Sequence, residues 1–138
     1  MSTRIEKISI LSKGFSEVID ITNNIQNIVS RFEIKNGILN IFTSSSTASV
    51  LTLENEPGIG FDLVKLLDDL VPINKVYQHD NLWHDGNAFS HLKAAILGGN
   101  IVLPIINGKV ELSNYQQIVL VDFDNKPSTR QIIVSICE

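Results

Sequence analysis

Cysteine is nearly absent from this 138-residue chain: Cys137, beside the C-terminus, is the only one. That excludes an intrachain disulfide, a CxxC redox motif and a cysteine-rich metal cage, and it fits a reducing cytoplasm. Basic excess is also missing, since the formal charge is -4. A protein without a broad basic surface has little to offer nucleic acid or an anionic membrane, and neither is expected as a partner. No stretch approaches the roughly 18 apolar residues of a spanning helix, and the charged run Arg4-Ile5-Glu6-Lys7 interrupts anything resembling a signal peptide. GxSxG, P-loop and GxGxxG motifs do not occur, so the common hydrolase and nucleotide signatures are lacking.

What is present is apolar. With 43% hydrophobic and 19% charged residues the chain can bury a core, and its length suits one domain spanning residues 1–138. Alternation over Thr3 to Leu11 predicts a strand, and Ile21, Ile25, Ile28, Val29 and Phe32 recur at helical spacing between Asp20 and Ile34, with Asp20 or Thr22 as cap. Two strands follow, Ile38–Thr43 and Ala48–Leu53. Pro57 then opens a helix whose stripe of Ile59, Leu63, Leu66, Leu67 and Leu70 stops before Pro72. Residues Ile73 to Gly86 read as a long surface loop, and Asn87 as the cap of a third helix reaching Leu97. Short β-rich runs close the chain: Ile101–Ile106, Val110–Leu112, Gln117–Phe123 and Gln131–Cys137. Helices placed early and mid-chain before a run of strands indicate an α+β fold.

Four constellations could carry chemistry. His79-Asp80 and His91 offer imidazoles and a carboxylate, the donors that zinc and similar divalent ions accept. His84-Asp85 either supplies a third ligand or is a solvated loop whose Trp83 packs at an interface. The run from Thr43 to Thr47 is either a phosphate cradle of hydroxyls and amides or an ordinary turn. Glu54-Asn55-Glu56 either serves a hard cation or general base at a sheet end, or caps the following helix.

Taken in order, Ser45-Ser46-Thr47-Ala48-Ser49, Glu54-Asn55-Glu56-Pro57-Gly58, Tyr77-Gln78-His79-Asp80 and Asn87-Ala88-Phe89-Ser90-His91-Leu92-Lys93-Ala94 resemble the successive signatures of the YjbQ-like family, also labelled secondary thiamine-phosphate synthase. Leu97-Gly98, Pro104, Asn107-Gly108-Lys109-Val110, Leu112 through Gln116 and a charged hairpin from Asp122 to Arg130 extend the likeness along nearly the whole chain. The resemblance implies two β-sheets in a sandwich with about three helices, assembled as a homotrimer around a threefold axis. It further implies a metal site near subunit boundaries at His79 and His91, holding magnesium or zinc.

Three departures stand out. Ser45 occupies a position where the family usually has His, Phe89 replaces a commonly polar residue, and Ser113-Asn114-Tyr115-Gln116 stands for Gly-Thr-Trp-Gln.

The implied reaction joins a pyrimidine diphosphate to a thiazole phosphate, giving thiamine phosphate and pyrophosphate. Such chemistry needs a cation on the departing diphosphate and donors for developing charge. On that reading Glu54, Asn55 and Asp80 are catalytic, while Ser45, Ser46, Thr47, Lys93, Tyr115, Gln116 and Arg130 bind a phosphorylated substrate. The alternatives are a non-catalytic trimer that binds a small ligand or metal, and a metal-dependent hydrolase.

Overall fold

A computed structural model describes the whole chain, residues 1–138. Its strands are β1 (Thr3–Ser12), β2 (Glu17–Asp20), β3 (Gly37–Thr43), β4 (Ala48–Leu53), β5 (Asn100–Ile106), β6 (Lys109–Val110), β7 (Gln117–Asp122) and β8 (Ser128–Cys137). Its helices are α1 (Thr22–Arg31), α2 (Pro57–Leu70), α3 (Gln78–Trp83) and α4 (Ala88–Leu97). The strands form two antiparallel sheets, one of five in the order β1-β8-β3-β5-β6 and one of three in the order β2-β7-β4.

The layers follow from the residue patterns. Alternation along β3 and β8 sends Leu39, Ile41, Ile132, Val134 and Ile136 to one face, where they meet Val50, Ile118 and Leu120 of the smaller sheet. The apolar stripe of α1, with Ile25, Ile28 and Val29 buried, joins this same cluster. Strand β7 is apolar on both faces because it is covered on both. Val119, Val121 and Phe123 turn away from the large sheet and pack under Leu67 of α2 and Ala94 of α4. The order is therefore large sheet, small sheet, then α2 and α4, while α1 packs into the cluster between the sheets.

The outer face of the large sheet has no such cover. Ile38, Phe42, Val102 and Ile106 are 58%, 40%, 59% and 46% exposed there. In the strand register Ile38 stands beside Pro104, and Phe42 beside Ile133.

Several boundaries differ from the sequence reading, each for a physical reason. Strand β2 has only four residues at a sheet edge, too few for a periodic signal. The expected loop from Ile73 to Gly86 contains α3, whose six residues bury nothing and so show no apolar stripe; the helices number four, not three. Helix α1 is shorter than expected and is preceded by Ile21, with Asp20 Oδ1 accepting from the Thr22 amide at 2.9 Å. Strand β8 begins earlier, at Ser128. The segment from Asp122 to Arg130 is not a hairpin: β7 and β8 belong to different sheets, and it crosses between them. Gly14 sits against this crossing at φ 73°, where an added Cβ would fall 2.5 Å from the Lys126 carbonyl oxygen. No helix is long and apolar enough to cross a membrane.

Candidate metal centre

Strand phase places one charge on each sheet so that the two face each other. On β8, Arg130 shares the inward face of Ile132, Val134 and Ile136; on β7, Asp122 shares that of Ile118 and Leu120. They meet at the edge of the sandwich as a two-point pair, with Arg130 Nε donating to Asp122 Oδ2 at 2.6 Å and Nη2 to Oδ1 at 2.8 Å. Asp122 is fully buried and Arg130 is 9% exposed. A buried charge without a partner is costly, so the pairing is what permits either residue here.

The rest of the guanidinium holds the hydroxyl run. Nη1 donates to Ser45 Oγ at 2.8 Å, and Nη2 reaches Thr47 Oγ1 at 3.0 Å and Asp124 Oδ2 at 3.2 Å. Thr47 spends its one proton on Asp124 Oδ2, so Ser45 must donate to Thr47 across their 3.2 Å contact. Ser45 and Thr47 are thus bound inward, while Ser46 is exposed. Burial pushes the Asp124 carboxyl up, but hydrogen bonds from Asn87, the Asn125 amide, Arg130 and Thr47 outweigh it and hold the group below its usual range. The bond to Asp122 raises Arg130 against the opposing effect of burial, with the charges of Asp122 and Asp124 adding to the rise.

From this anchor the network runs outward through Asn87. Its Nδ2 donates to Asp124 Oδ1 at 3.2 Å, and its Oδ1 lies 3.1 Å from His79 Nε2 on α3. Asn87 does sit at the N-cap position of α4, but its side chain makes no cap bond; Asp80 accepts from the Ala88 amide at 3.0 Å instead. A carboxylate at a helix N-terminus is favoured by the helix dipole. Asp85 Oδ1 approaches His79 Nε2 to 3.2 Å. His79, Asp80 and Asp85 each present one ligand atom, all within 4.8 Å of one another. The His91 ring, from α4, lies with its centroid 4.6 Å from that of His79.

Two cavities open here and share His91. One, of about 320 Å³, is lined by Ser45, Ser46, His91 and Gly99 among others. The second, of about 340 Å³, is lined by Tyr77, Gln78, His79, Ala88, His91 and Leu92.

The remaining predicted residues lie elsewhere. Glu54 and Asn55 follow β4, and Tyr115 and Gln116 precede β7, at the end of the small sheet opposite Thr47 and Asp122, roughly 20 Å along the strands. All four are exposed. Glu56 caps α2, accepting from the Gly58 and Ile59 amides. Lys93 is fully buried, paired with Asp68 of α2, its ammonium 5.3 Å from the Phe89 ring centroid. His84 ends α3 in the left-handed conformation at φ 60°.

The sequence reading missed the side-chain role of Asn87 and both Asp122 and Asp124. The signal for Asp122 was available, because it and Arg130 each fall in phase with buried apolar neighbours.

Comparison with known proteins bears on this arrangement. The family described as UPF0047 protein YjbQ-like matches residues 6–138. A UPF0047 protein from Methanothermobacter thermautotrophicus is 38% identical over 120 residues, covering 87% of this chain and 82% of that protein. Another from Archaeoglobus fulgidus is 38% identical over 118 residues, covering 86% and 89%. The crystal structure of a YbjQ-like protein of unknown function from Sulfolobus solfataricus superposes with a TM-score of 0.87 at 33% identity, covering 98% of each chain.

Proposed function

This chain belongs to the YjbQ-like UPF0047 family, and we propose that it binds a divalent cation at His79, Asp80 and Asp85 and uses it to hold a phosphorylated small molecule. The carrying observation is the convergence of three ligand atoms within 4.8 Å beside the His91 ring. One imidazole with two carboxylates suits zinc, and the carboxylates would also admit magnesium.

Charge supports the order of binding. Asp80, Asp85, Asp122 and Asp124 stand against a single guanidinium, Arg130, so a bare phosphate meets net repulsion and a cation meets attraction. The cation comes first, and phosphate oxygens bind through it, with Ser46 and His91 lining the adjoining cavity.

The reaction to test first is the family-suggested one, a weak thiamine-phosphate synthase activity in which the pyrimidine carbon bonds to the thiazole nitrogen and pyrophosphate departs. One observation favours a second reading, a non-catalytic binder of metal or ligand. Ser45 stands where the resemblance implies a histidine, and its hydroxyl is consumed by Arg130 and Thr47 rather than presented to a substrate.

We further propose that the protein is a cytoplasmic homotrimer in which neighbouring copies cover the outer face of the large sheet. The support is its exposed apolar residues Ile38, Phe42, Val102 and Ile106.

The test is metal content per subunit for wild type and for the His79→Ala/His91→Ala double variant, followed by a screen of metal-loaded protein. Near-stoichiometric metal that disappears in the double variant is expected. Pyrophosphate release from the two thiamine precursors supports the synthase reading; retained binding without turnover supports the binder. Phosphate release from generic esters would point to a hydrolase. Wild type that takes up neither zinc, manganese nor magnesium overturns the proposal.

A further inference from the structure

The small sheet ends on one side at β2, and that edge is unpaired. On either side of β2 the amides of Phe15 and Ile21 donate to the Asp124 and Ile118 carbonyls, so its odd-numbered residues turn their backbone groups toward β7. Val18 and Asp20 turn theirs the other way, where the sheet has no further strand. No turn, loop or capping bond ends on a backbone group of either residue. Such an edge is a template on which an extended chain can add.

Helix α2 walls the space beside this edge. A cavity of about 490 Å³ lies between Val18 of β2 and Gly60, Phe61 and Val64 of α2. A second, of about 260 Å³, shares Ser16 and Val64 with it and continues to Phe15, Asp68 and Ile73, so the two form one groove. Two aromatic rings stand open on it, Phe15 and Phe61, 69% and 68% exposed. Phe15 is held there at φ 56°, a conformation that is costly for a bulky residue and here gains it no burial.

Gly60 has no explanation within the chain. Glycine weakens a helix relative to alanine. At Gly58 the fold supplies a reason, because an added Cβ would fall 3.0 Å from Glu56 Oε1, which caps α2. An added Cβ on Gly60 would meet nothing within 4 Å. A backbone passing close to the helix is what calls for glycine at that place.

The charge of the groove has one sign. Glu56 and Asp68 line it, Glu17 and Asp20 belong to its strand, and no lysine or arginine lines either cavity. Asp68 is paired with Lys93, whereas Glu17, Asp20 and Glu56 have no basic partner. Acidic residues on the edge disfavour pairing with β2 of a second copy and favour a cationic chain.

We propose that the groove between β2 and α2 docks an extended segment of a partner protein, basic in charge and apolar at alternate positions, which adds to the free edge of β2. Its backbone pairs with Val18 and Asp20, and alternate side chains enter the groove beside Gly60, between Phe15 and Phe61. Its lysine or arginine residues meet Glu17, Asp20 and Glu56.

The experiment is selection of a phage-displayed random peptide library on the immobilised full chain, followed by fluorescence anisotropy with the enriched peptides as labelled synthetic probes. Expected are peptides containing lysine or arginine, with β-branched or aromatic residues at alternate positions. They should bind Gly60→Leu at least about tenfold more weakly, and a copy N-methylated on alternate amides should not bind. Gly60→Leu projects into open space, so its circular dichroism should stay that of the folded chain. Hydrogen exchange read by amide NMR should find Val18 and Asp20 unprotected in the free protein and protected with peptide. The exchange and N-methyl measurements need only the wild type should the variant fail to fold.

A selection that enriches no peptide, or only acidic ones, overturns the proposal. Peptides that bind Gly60→Leu as tightly as wild type, or that leave the Val18 and Asp20 amides unprotected, overturn it as well. If Gly60→Leu changes the sedimentation of the protein alone, the groove is a contact between copies and the partner reading falls.

Discussion

Arg130 of the large sheet and Asp122 of the small sheet are joined by two hydrogen bonds, 2.6 and 2.8 Å long, and so tie the two layers together at one edge. The pair also organises the site, because the same guanidinium holds Ser45, Thr47 and Asp124. Replacing Arg130 by Met would strand a fully buried Asp122 carboxylate. Breaking a buried ion pair by removing one partner costs about 3–5 kcal/mol. Urea unfolding of Arg130→Met is expected to show a loss in that range, and an unchanged midpoint would mean that the pair contributes nothing.

Asp124 makes a pH dependence. Its folded carboxyl titrates below the ordinary value of 3.8, so its contribution to stability is complete above that pH and is lost as pH falls through the lowered folded value. The stability gap between wild type and Asp124→Asn should be constant above pH 3.8 and narrow below it. Chemical denaturation across the acid range checks this, and a gap that widened on acidification would reverse the sign.

His84 tests which histidines matter. It lies outside the cluster of His79, Asp80 and Asp85, and it holds φ 60°, a region that costs a side-chain-bearing residue about 1–2 kcal/mol. Glycine avoids that strain but loses more entropy on folding. His84→Gly is therefore expected to leave metal affinity unchanged in calorimetric titration and to gain up to about 1 kcal/mol of stability. His91→Ala should weaken metal or ligand binding in the same assay.

Lys93 separates a structural role from a phosphate-binding one. Its side chain is fully buried against Asp68 and Phe89, while the Asp68 side chain is 41% exposed and can be hydrated when left alone. Met fills a similar volume without a charge to desolvate. Lys93→Met should change stability by less than about 1.5 kcal/mol and leave phosphate binding by the metal-loaded protein intact in a titration with inorganic phosphate. Loss of phosphate binding in a folded variant would return Lys93 to the site.

The outer sheet face gives a prediction about assembly. Phe42 and Val102 are 40% and 59% exposed on it, and a charge placed in a covered apolar interface is left unpaired. Phe42→Glu combined with Val102→Glu should convert a trimer into monomers in sedimentation velocity while circular dichroism stays unchanged. Wild type that sediments as a monomer would remove the trimer proposal.

Where the local start, stop and periodicity signals are strong, the elements follow from the chain itself, even in α2, of whose apolar stripe only Leu67 is buried. Helix α2 spans Pro57 to Leu70 as read, because Pro57 sets its start, Pro72 follows its end and the apolar stripe lies between. Strand β4, from Ala48 to Leu53, follows in the same way. Elements that bury little escape such reading, and α3 and β2 are the examples.

The family likeness and the paired histidines could also be read in the chain, since His79 and His91 stand in motifs of fixed order. The partners that set their chemistry are remote in sequence. Asp124 meets Asn87 across 37 positions, and Arg130 meets Ser45 across 85.

The sequence alone determined the fold class, most of the strands and helices, and the residue types able to hold a metal, because these depend on neighbours a few positions apart. Only the tertiary structure decided that Arg130 and Ser45 serve a buried anchor and that Lys93 turns to α2. It also decided that Glu54 and Asn55 lie at the far end of the small sheet. Those outcomes depend on how two sheets stack, and stacking is a collective result of burial that no local window contains.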